Sequence, residues 1–226
     1  MISLIVPSRG RPHRLKEMWD SFTTNTASPL ELIATVDEDD PRLNEYMNMD
    51  SYDIHIIVVP RMPLTKKINE TARHANGEIY IPACDCSLMQ TKNWDKLFKQ
   101  SVPTDGYYIA CPNDGHKKNS TVFICTTPTW IDAVGYYAWE GTEQFYGETW
   151  AADIAKRCGR LCLLPEITLL HRNPGFGDIE TDETFEHQHR NNDKHVKTAK
   201  KAYDAAEPER ARIAEKIRQK IQGDSK

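Results

Sequence analysis

The 226-residue chain predicts an α/β fold, a mainly parallel sheet flanked by helices, with a helical extension at the C-terminus. Three observations predict it. Four short apolar runs, at residues 2–6, 30–36, 54–59 and 79–83, each have the length of a buried strand. Helical spacing or crossing loops separate them, the alternation expected of a parallel α/β sheet. Three of the runs end directly in polar or charged residues, at the strand ends where such sheets bind ligands.

The first strand, residues 2–6, stops at the loop Pro7-Ser8-Arg9-Gly10-Arg11-Pro12. Leu15, Met18, Trp19 and Phe22 then recur at helical intervals and give residues 14–22 one apolar face. The second strand, residues 30–36, runs into Asp37-Glu38-Asp39-Asp40-Pro41, and the third, 54–59, is closed by Pro60. Residues 64–75 set Ile68, Ala72 and Ala75 on one helical face, with Gly77 placed as a C-terminal cap before the fourth strand, 79–83. Residues 107–111, 121–125 and 161–164 read as further strands, 128–134 as a short helix and 147–158 as an amphipathic helix ending at Gly159. Residues 171–184 form a loop with Pro174, Gly175 and Gly177, and the sequence from 191 onward is helical and charged. Without repeats or a low-complexity linker, residues 1–190 read as a single domain of two halves, 1–95 and 96–190, and 191–226 as an extension.

Composition excludes several classes. The 29 Lys and Arg against 33 Asp and Glu give a net charge of -4, too little positive charge to hold nucleic acid in bulk. Residues 190–226 carry 11 Lys and Arg and 6 Asp and Glu, leaving the remainder acidic. No apolar stretch approaches the roughly 20 residues of a membrane span, and mean hydropathy is -0.64. The opening Met1–Pro7 segment is too short for a signal peptide and lacks a basic lead, so the expected location is cytoplasmic. Val196, Ala199, Ala202, Tyr203, Ile213 and Ile217 make only a thin apolar face, so the tail reads as a solvated helix. Its charge would alternatively hold an acidic acceptor, a partner or a membrane surface.

The six cysteines, Cys84, Cys86, Cys111, Cys125, Cys158 and Cys162, lie mostly in apolar runs and read as reduced, buried thiols. Cys84 and Cys86 flank Asp85. No Cys-x-x-Cys knuckle accompanies them, and strand alternation alone would put both thiols on one face, so zinc is not favoured.

Three loops carry the candidate chemistry. Ser8, Arg9, Gly10 and Arg11 suit an anion at a helix start, or form an ordinary turn into the helix. Asp37, Glu38, Asp39 and Asp40 are cation or ribose ligands, or a solvated acidic turn. Asp85 is a lone carboxylate after a buried strand, and its place on the same rim favours function.

Together these loops resemble the nucleotide-sugar glycosyltransferases of the GT-A fold, family 2 type. The resemblance runs through Ile2-Ser-Leu-Ile-Val-Pro-Ser-Arg-Gly-Arg-Pro12, Ala34-Thr-Val-Asp-Glu-Asp-Asp-Pro41, Lys67-Ile-Asn69 and Ala75-Asn-Gly-Glu-Ile79. It continues in Cys84-Asp-Cys-Ser-Leu-Met-Gln-Thr-Lys-Asn-Trp94, Gly147-Glu-Thr-Trp150, Gly159-Arg-Leu161 and His171, covering about residues 1–190 in the family's order. It implies a nucleotide-binding half, 1–95, and an acceptor half, 96–190. Pro7, Ser8, Arg9 and Arg11 would line the nucleotide, Asp37 and Asp39 its base or ribose, and Lys67 and Asn69 the edge of its pocket. Asp85 would adjoin the ribose and, with His171, bind Mn2+ or Mg2+. Glu186-His187-Gln188-His189 offers a second metal candidate. The family carries two or three acids where this chain has Asp85 alone, with Cys86 in place of a metal-binding acid.

The resemblance also implies a base for the attacking hydroxyl, Glu148, with Asp153 in reserve. Trp139 and Trp150, within the aromatic stretch from Tyr136, are candidates to stack on a sugar. The implied activity transfers sugar from a nucleotide diphosphate donor, a UDP-sugar, to a hydroxyl of a glycan, protein or modified nucleic acid. Small enzymes of this kind resemble those of bacteria and phages, the latter working in host cytoplasm. A nucleotidyltransferase and a non-catalytic nucleotide-sugar-binding module remain the competing classes.

Overall fold

Strand β1 (Ile2–Ser8) pairs in parallel with β2 (Leu30–Asp37) on one side and β4 (Ile79–Pro82) on the other. With β3 (Ile54–Val59) beyond β2, the sheet order is β3-β2-β1-β4 in this computed structural model, which describes residues 1–51, 53–189 and 192–224. β1 and β2 are buried almost throughout, so both faces must be covered, which suits near-continuous apolar runs. Register positions the loops. Ser8 lies opposite Val36, one residue before Asp37, and Ile5 lies opposite Pro82. Three residues beyond Ile5 and Pro82, Ser8 and Asp85 reach the same rim.

Helix α1 (Pro12–Thr24) starts at Pro12, whose missing N–H costs nothing in a first turn, and buries Leu15, Met18 and Phe22. The short α2 (Leu43–Met47) follows the acidic loop and buries Tyr46. Helix α3 (Leu64–Arg73) ends earlier than its apolar spacing suggests, and Gly77 is not its cap. Gly77 instead passes so close to β1 that a Cβ there would sit 2.5 Å from Ser3 Oγ.

The second sheet has order β5-β7-β6. β6 (Ile109–Asn113) runs parallel to β7 (Leu161–His171), while β5 (Ser87–Met89) is antiparallel to β7 and sets Ser87 opposite His171. β7 continues well past Leu164, because Pro165 falls where its pairing with β6 is interrupted and no ladder N–H is needed. The expected strand at 121–125 is reduced to isolated bridges. Cys125 pairs with Ala110 and Thr126 with Tyr80, so this segment joins the two sheets instead of extending either.

Helix α4 (Trp94–Ser101) packs Trp94 edge-on to Phe22 at 5.6 Å, sealing the first core. Helices α5 (Pro128–Val134) and α6 (Gly147–Arg157) cover the second core, and Gly159 takes the left-handed conformation (φ 71°) after α6. A 3₁₀ turn (Pro174–Phe176), α7 (Glu183–His189), α8 (Asn192–Ala205) and α9 (Glu207–Asp224) complete the chain. No described helix is long and apolar enough to cross a membrane.

The tail is not simply solvated. Ile213, Ala214 and Ile217 of α9 are buried in the cluster that holds Trp130, Trp150 and Ile154. Arg210 is only 3% exposed; its Nε donates to Asp153 at 2.8 Å and its guanidinium lies 5.2 Å from the Trp150 ring centroid. Basic charge counted as a solvated face in the sequence thus includes a buried anchor.

Candidate functional site

Three loops converge at the carboxyl ends of β1, β2 and β4. The Ser8 hydroxyl donates to Asp85 Oδ2 at 2.7 Å and lies 2.7 Å from the Tyr46 hydroxyl, which accepts from Arg11 N–H at the same distance. Because Ser8 gives its proton to Asp85, Tyr46 must donate to Ser8, and the relay has one direction. Asp85 also accepts from Arg11 Nη1 at 3.3 Å. Burial raises the Asp85 pKa, although the Arg11 charge and the Ser8 hydrogen bond oppose it.

Asp37, 2% exposed, sits between two cations. Lys67 Nζ holds Oδ1, and Arg9 Nη1 holds Oδ2 at 3.1 Å while reaching Asp39 Oδ1 at 2.5 Å. Lys67 is therefore the buried counterion of Asp37. Asp40 accepts from the backbone of Gly10 and Arg42, pinning the acidic loop against β1. Pro7 is half-buried and continues β1 opposite Thr35.

Asn69 does not belong to this group. Its amide donates to Ala138 O and Glu140 Oε1, and its oxygen accepts from the Tyr137 and Ala138 amides. All four hydrogen-bonding positions are engaged, so Asn69 brackets the 137–140 segment and has none left for a nucleotide.

A strap from near the C-terminal region crosses the first loop. Asp182 accepts from Arg11 Nε at 2.8 Å and Nη2 at 2.5 Å, and Arg14 Nη1 approaches it at 2.9 Å. Thr184 Oγ1 donates to Arg9 O at 3.1 Å. Sequence reasoning missed this strap and Tyr46. Asp182 also accepts from Phe185 N–H, which marks it as the cap of α7; its role toward Arg11 had no local signal.

The ligand group that contains His171 is completed by Cys84 and Cys86, and Asp85 is not a member of it. His171 lies against Cys86, and Cys84, Cys86 and His171 have ligating atoms within 4.8 Å of one another. Burial lowers the His171 pKa, but Cys86, Asp114 and Glu148 outweigh it and the net shift is upward. The protein donors gathered here are thiols and an imidazole, which do not make the oxygen set that Mn2+ or Mg2+ requires. The second metal candidate rested on His187 and His189, whose side chains lie outside the described residues.

Glu148 stands in the first turn of α6, close enough to His171 for their charges to interact. Tyr146 just before it has φ 69°, one of two non-glycine residues with positive φ among the described residues. Such a conformation costs on the order of 1–3 kcal/mol; Thr142 Oγ1, donating to Phe145 O at 2.6 Å, braces the preceding turn. Burial raises the Glu148 pKa, with its own backbone and His171 opposing. Asp153, the reserve base, faces elsewhere and is paired with Arg157 at 3.0 Å and Arg210 at 2.8 Å. Trp139 and Trp150 stack on each other, 3.9 Å apart and 3° from parallel, and both are buried. They are packing residues and offer no face to a sugar.

No protein-family model and no curated protein matches the chain. Solved structures do. S. aureus TarS (1–349) in complex with UDP aligns at TM-score 0.54 and 12% identity over 74% of this chain and 59% of its own. The Pyrobaculum calidifontis mannosyltransferase PcManGT, with GDP-Man and Mn2+, aligns at 0.60 and 12% over 96% and 73%. The fold is that of the GT-A glycosyltransferases. GalNAc-T7 with UDP, GalNAc and Mn2+ aligns at 0.62 and 12% over 76% of this chain and 43% of its own. This GT-A chain thus spans about three-fifths of the TarS structure and less than half of GalNAc-T7.

Proposed function

We propose that the protein is a glycosyltransferase that moves a sugar from a nucleotide diphosphate donor, a UDP-sugar, to a hydroxyl acceptor. The observation that carries this reading is the convergence of Ser8, Arg9, Arg11, Asp37 and Asp85 on one rim of a GT-A sheet. TarS and GalNAc-T7, structures solved with UDP, share that fold. Pro7, Ser8 and Arg9 would lie along the nucleotide, with Asp37 and Asp39 at its base or ribose and Lys67 fixing Asp37. Asp85, prealigned by Ser8, would accept from a ribose hydroxyl. Arg11 would meet the diphosphate once Asp182 yields it.

Glu148 is the proposed base. Its raised pKa suits proton acceptance from an acceptor hydroxyl as that oxygen attacks the sugar carbon. A divalent cation belongs to the reading, and the resemblance names Mn2+ or Mg2+. Because the gathered donors are not an oxygen set, no step is assigned to it. The acceptor would be a glycan, a protein or a modified nucleic acid, in the cytoplasm of the cell or phage host.

The test is calorimetric titration with UDP and GDP, then UDP release from a panel of UDP-sugars with and without acceptors. Binding with turnover that Asp85→Ala abolishes supports the reading. Turnover indifferent to Asp85→Ala would sink the site assignment. One observation favours a second reading, a non-catalytic binding module: Cys86 stands where an acid is expected. UDP binding without turnover on any donor would select it.

A further inference from the structure

Cys84, Cys86 and His171 come from two separate parts of the chain and meet because of how β4, β5 and β7 are joined. The chain leaves β4 at Pro82 and turns, with Ser87 N–H donating to Cys84 O at 2.9 Å. Antiparallel pairing then sets Ser87 opposite His171. Arg172 fixes the far side of the turn, donating to Cys86 O from N–H at 3.3 Å and from Nε at 3.1 Å. The two sulfurs end 3.1 Å apart, brought there by a turn and not by strand alternation.

These thiols differ from the rest. Cys84 packs against an apolar cluster as Cys111, Cys125, Cys158 and Cys162 lie in or against theirs; what differs is that Cys84 and Cys86 share a ligand group with a histidine. Cys84, Cys86 and His171 form the one group of three or more potential metal-ligating side chains found among the described residues. Cys84 and His171 are half-buried, which leaves an ion a route inward. Asp85, the neighbouring carboxylate, is already engaged by Ser8 and Arg11.

We propose that Cys84, Cys86 and His171 hold a zinc ion, leaving one tetrahedral position to water or to a diphosphate oxygen. Two thiolates and an imidazole are a borderline-soft set suited to Zn2+, whereas Mn2+ and Mg2+ prefer oxygen ligands. Three protein donors with an open fourth position is the format of catalytic zinc, not of a closed structural site. Zinc bonds of about 2.3 Å would space the sulfurs by about 3.7 Å, so the pair opens slightly on binding. Each thiol releases one proton to solvent as its bond to the metal forms. Only the diphosphate as fourth ligand rests on the glycosyltransferase reading.

The test uses the full chain, purified under reducing conditions, stripped of metal and titrated with Co2+ and then Zn2+. The expected result is one equivalent of Co2+ showing thiolate-to-metal charge-transfer absorption and strong tetrahedral visible bands, displaced by Zn2+ but not by a large excess of Mn2+. Cys84→Ser and Cys86→Ser should each weaken zinc binding by more than about a hundredfold, beyond the loss of an outer-shell partner. Cys162→Ser should leave it unchanged, and Cys86→Asp should shift preference toward Mn2+. Absence of the charge-transfer band in the unsubstituted protein would overturn the proposal, whatever the variants do. So would zinc binding that survives loss of both thiols. UDP titration of the same samples is read separately: zinc uptake without UDP binding removes only the glycosyltransferase reading, and UDP binding without zinc removes only the metal site.

Discussion

Arg11 and Asp182 form a two-point pair, Nε to Oδ2 at 2.8 Å and Nη2 to Oδ1 at 2.5 Å, across 171 positions of sequence. The carboxylate fills a guanidinium fork of the geometry that also grips phosphate. Asp182→Asn should therefore free Arg11 and tighten UDP binding by about tenfold, the scale of one charged hydrogen bond. Calorimetry checks this; unchanged or weaker binding would show that the strap does not compete. Burial acts to raise the Asp182 pKa, but its Arg11 hydrogen bond and the nearby arginine charges hold it below the ordinary 3.8. A depressed acid stabilises above its unfolded pKa and loses that contribution as pH falls through the folded one. The strap should stay docked at neutral pH and loosen only below about pH 4, followed by exchange protection of residues 180–184.

Asp85 should behave in the opposite sense. Its pKa is raised by burial, so its charge is a cost to the folded protein at neutral pH. Asp85→Asn is expected to leave thermal stability equal or higher. UDP affinity should nevertheless fall about ten- to hundredfold, since a charged acceptor is lost. Paired melting and binding measurements check both halves, and a destabilised variant with full affinity would contradict them.

Glu148→Gln should preserve UDP binding while lowering turnover by about 10²–10⁴-fold, the usual contribution of a general base. With the Glu148 pKa raised by burial above 4.5, the acidic limb of the rate profile should lie above that value and vanish in the variant. A retained acidic limb would assign the base elsewhere.

Arg210→Ala removes a buried cation that bonds Asp153 and the Tyr203 carbonyl and lies over two rings. Loss on the order of 3 kcal/mol is expected, because Asp153 loses its most buried cation and keeps the more exposed Arg157. Arg210→Lys should recover little, since an ammonium cannot reproduce the planar fork. Urea unfolding monitored by tryptophan fluorescence reads both.

The first sheet was readable because each strand is a β-branched run bounded by Pro, Gly or acids, as at 30–36 and 54–59. The same logic put Ser8, Asp37 and Asp85 at the strand ends where they lie, since a strand's carboxyl end is visible in sequence. It failed where a role depends on a distant partner. Asn69 shows a helical position but not the 137–140 backbone that occupies it. Asp153 faces Arg210, 57 residues away, and Cys84 gains its meaning only through His171. Strand β5 is three residues long and carries no periodicity to detect, yet its pairing with β7 places that histidine.

Trp150 also bears on the order in which the nascent protein becomes stable. Its partner Trp139 precedes it in the chain, but Arg210, Ile213 and Ile217 follow some 60 residues later. A ribosome that has released residues 1–190 has completed every described strand while leaving Trp150 and Ile154 without their final cover. Until α9 emerges, that half presents an aromatic surface prone to association. Premature termination within α9 should therefore yield an aggregating product and not a smaller folded one, because the second core waits for that helix to cover it.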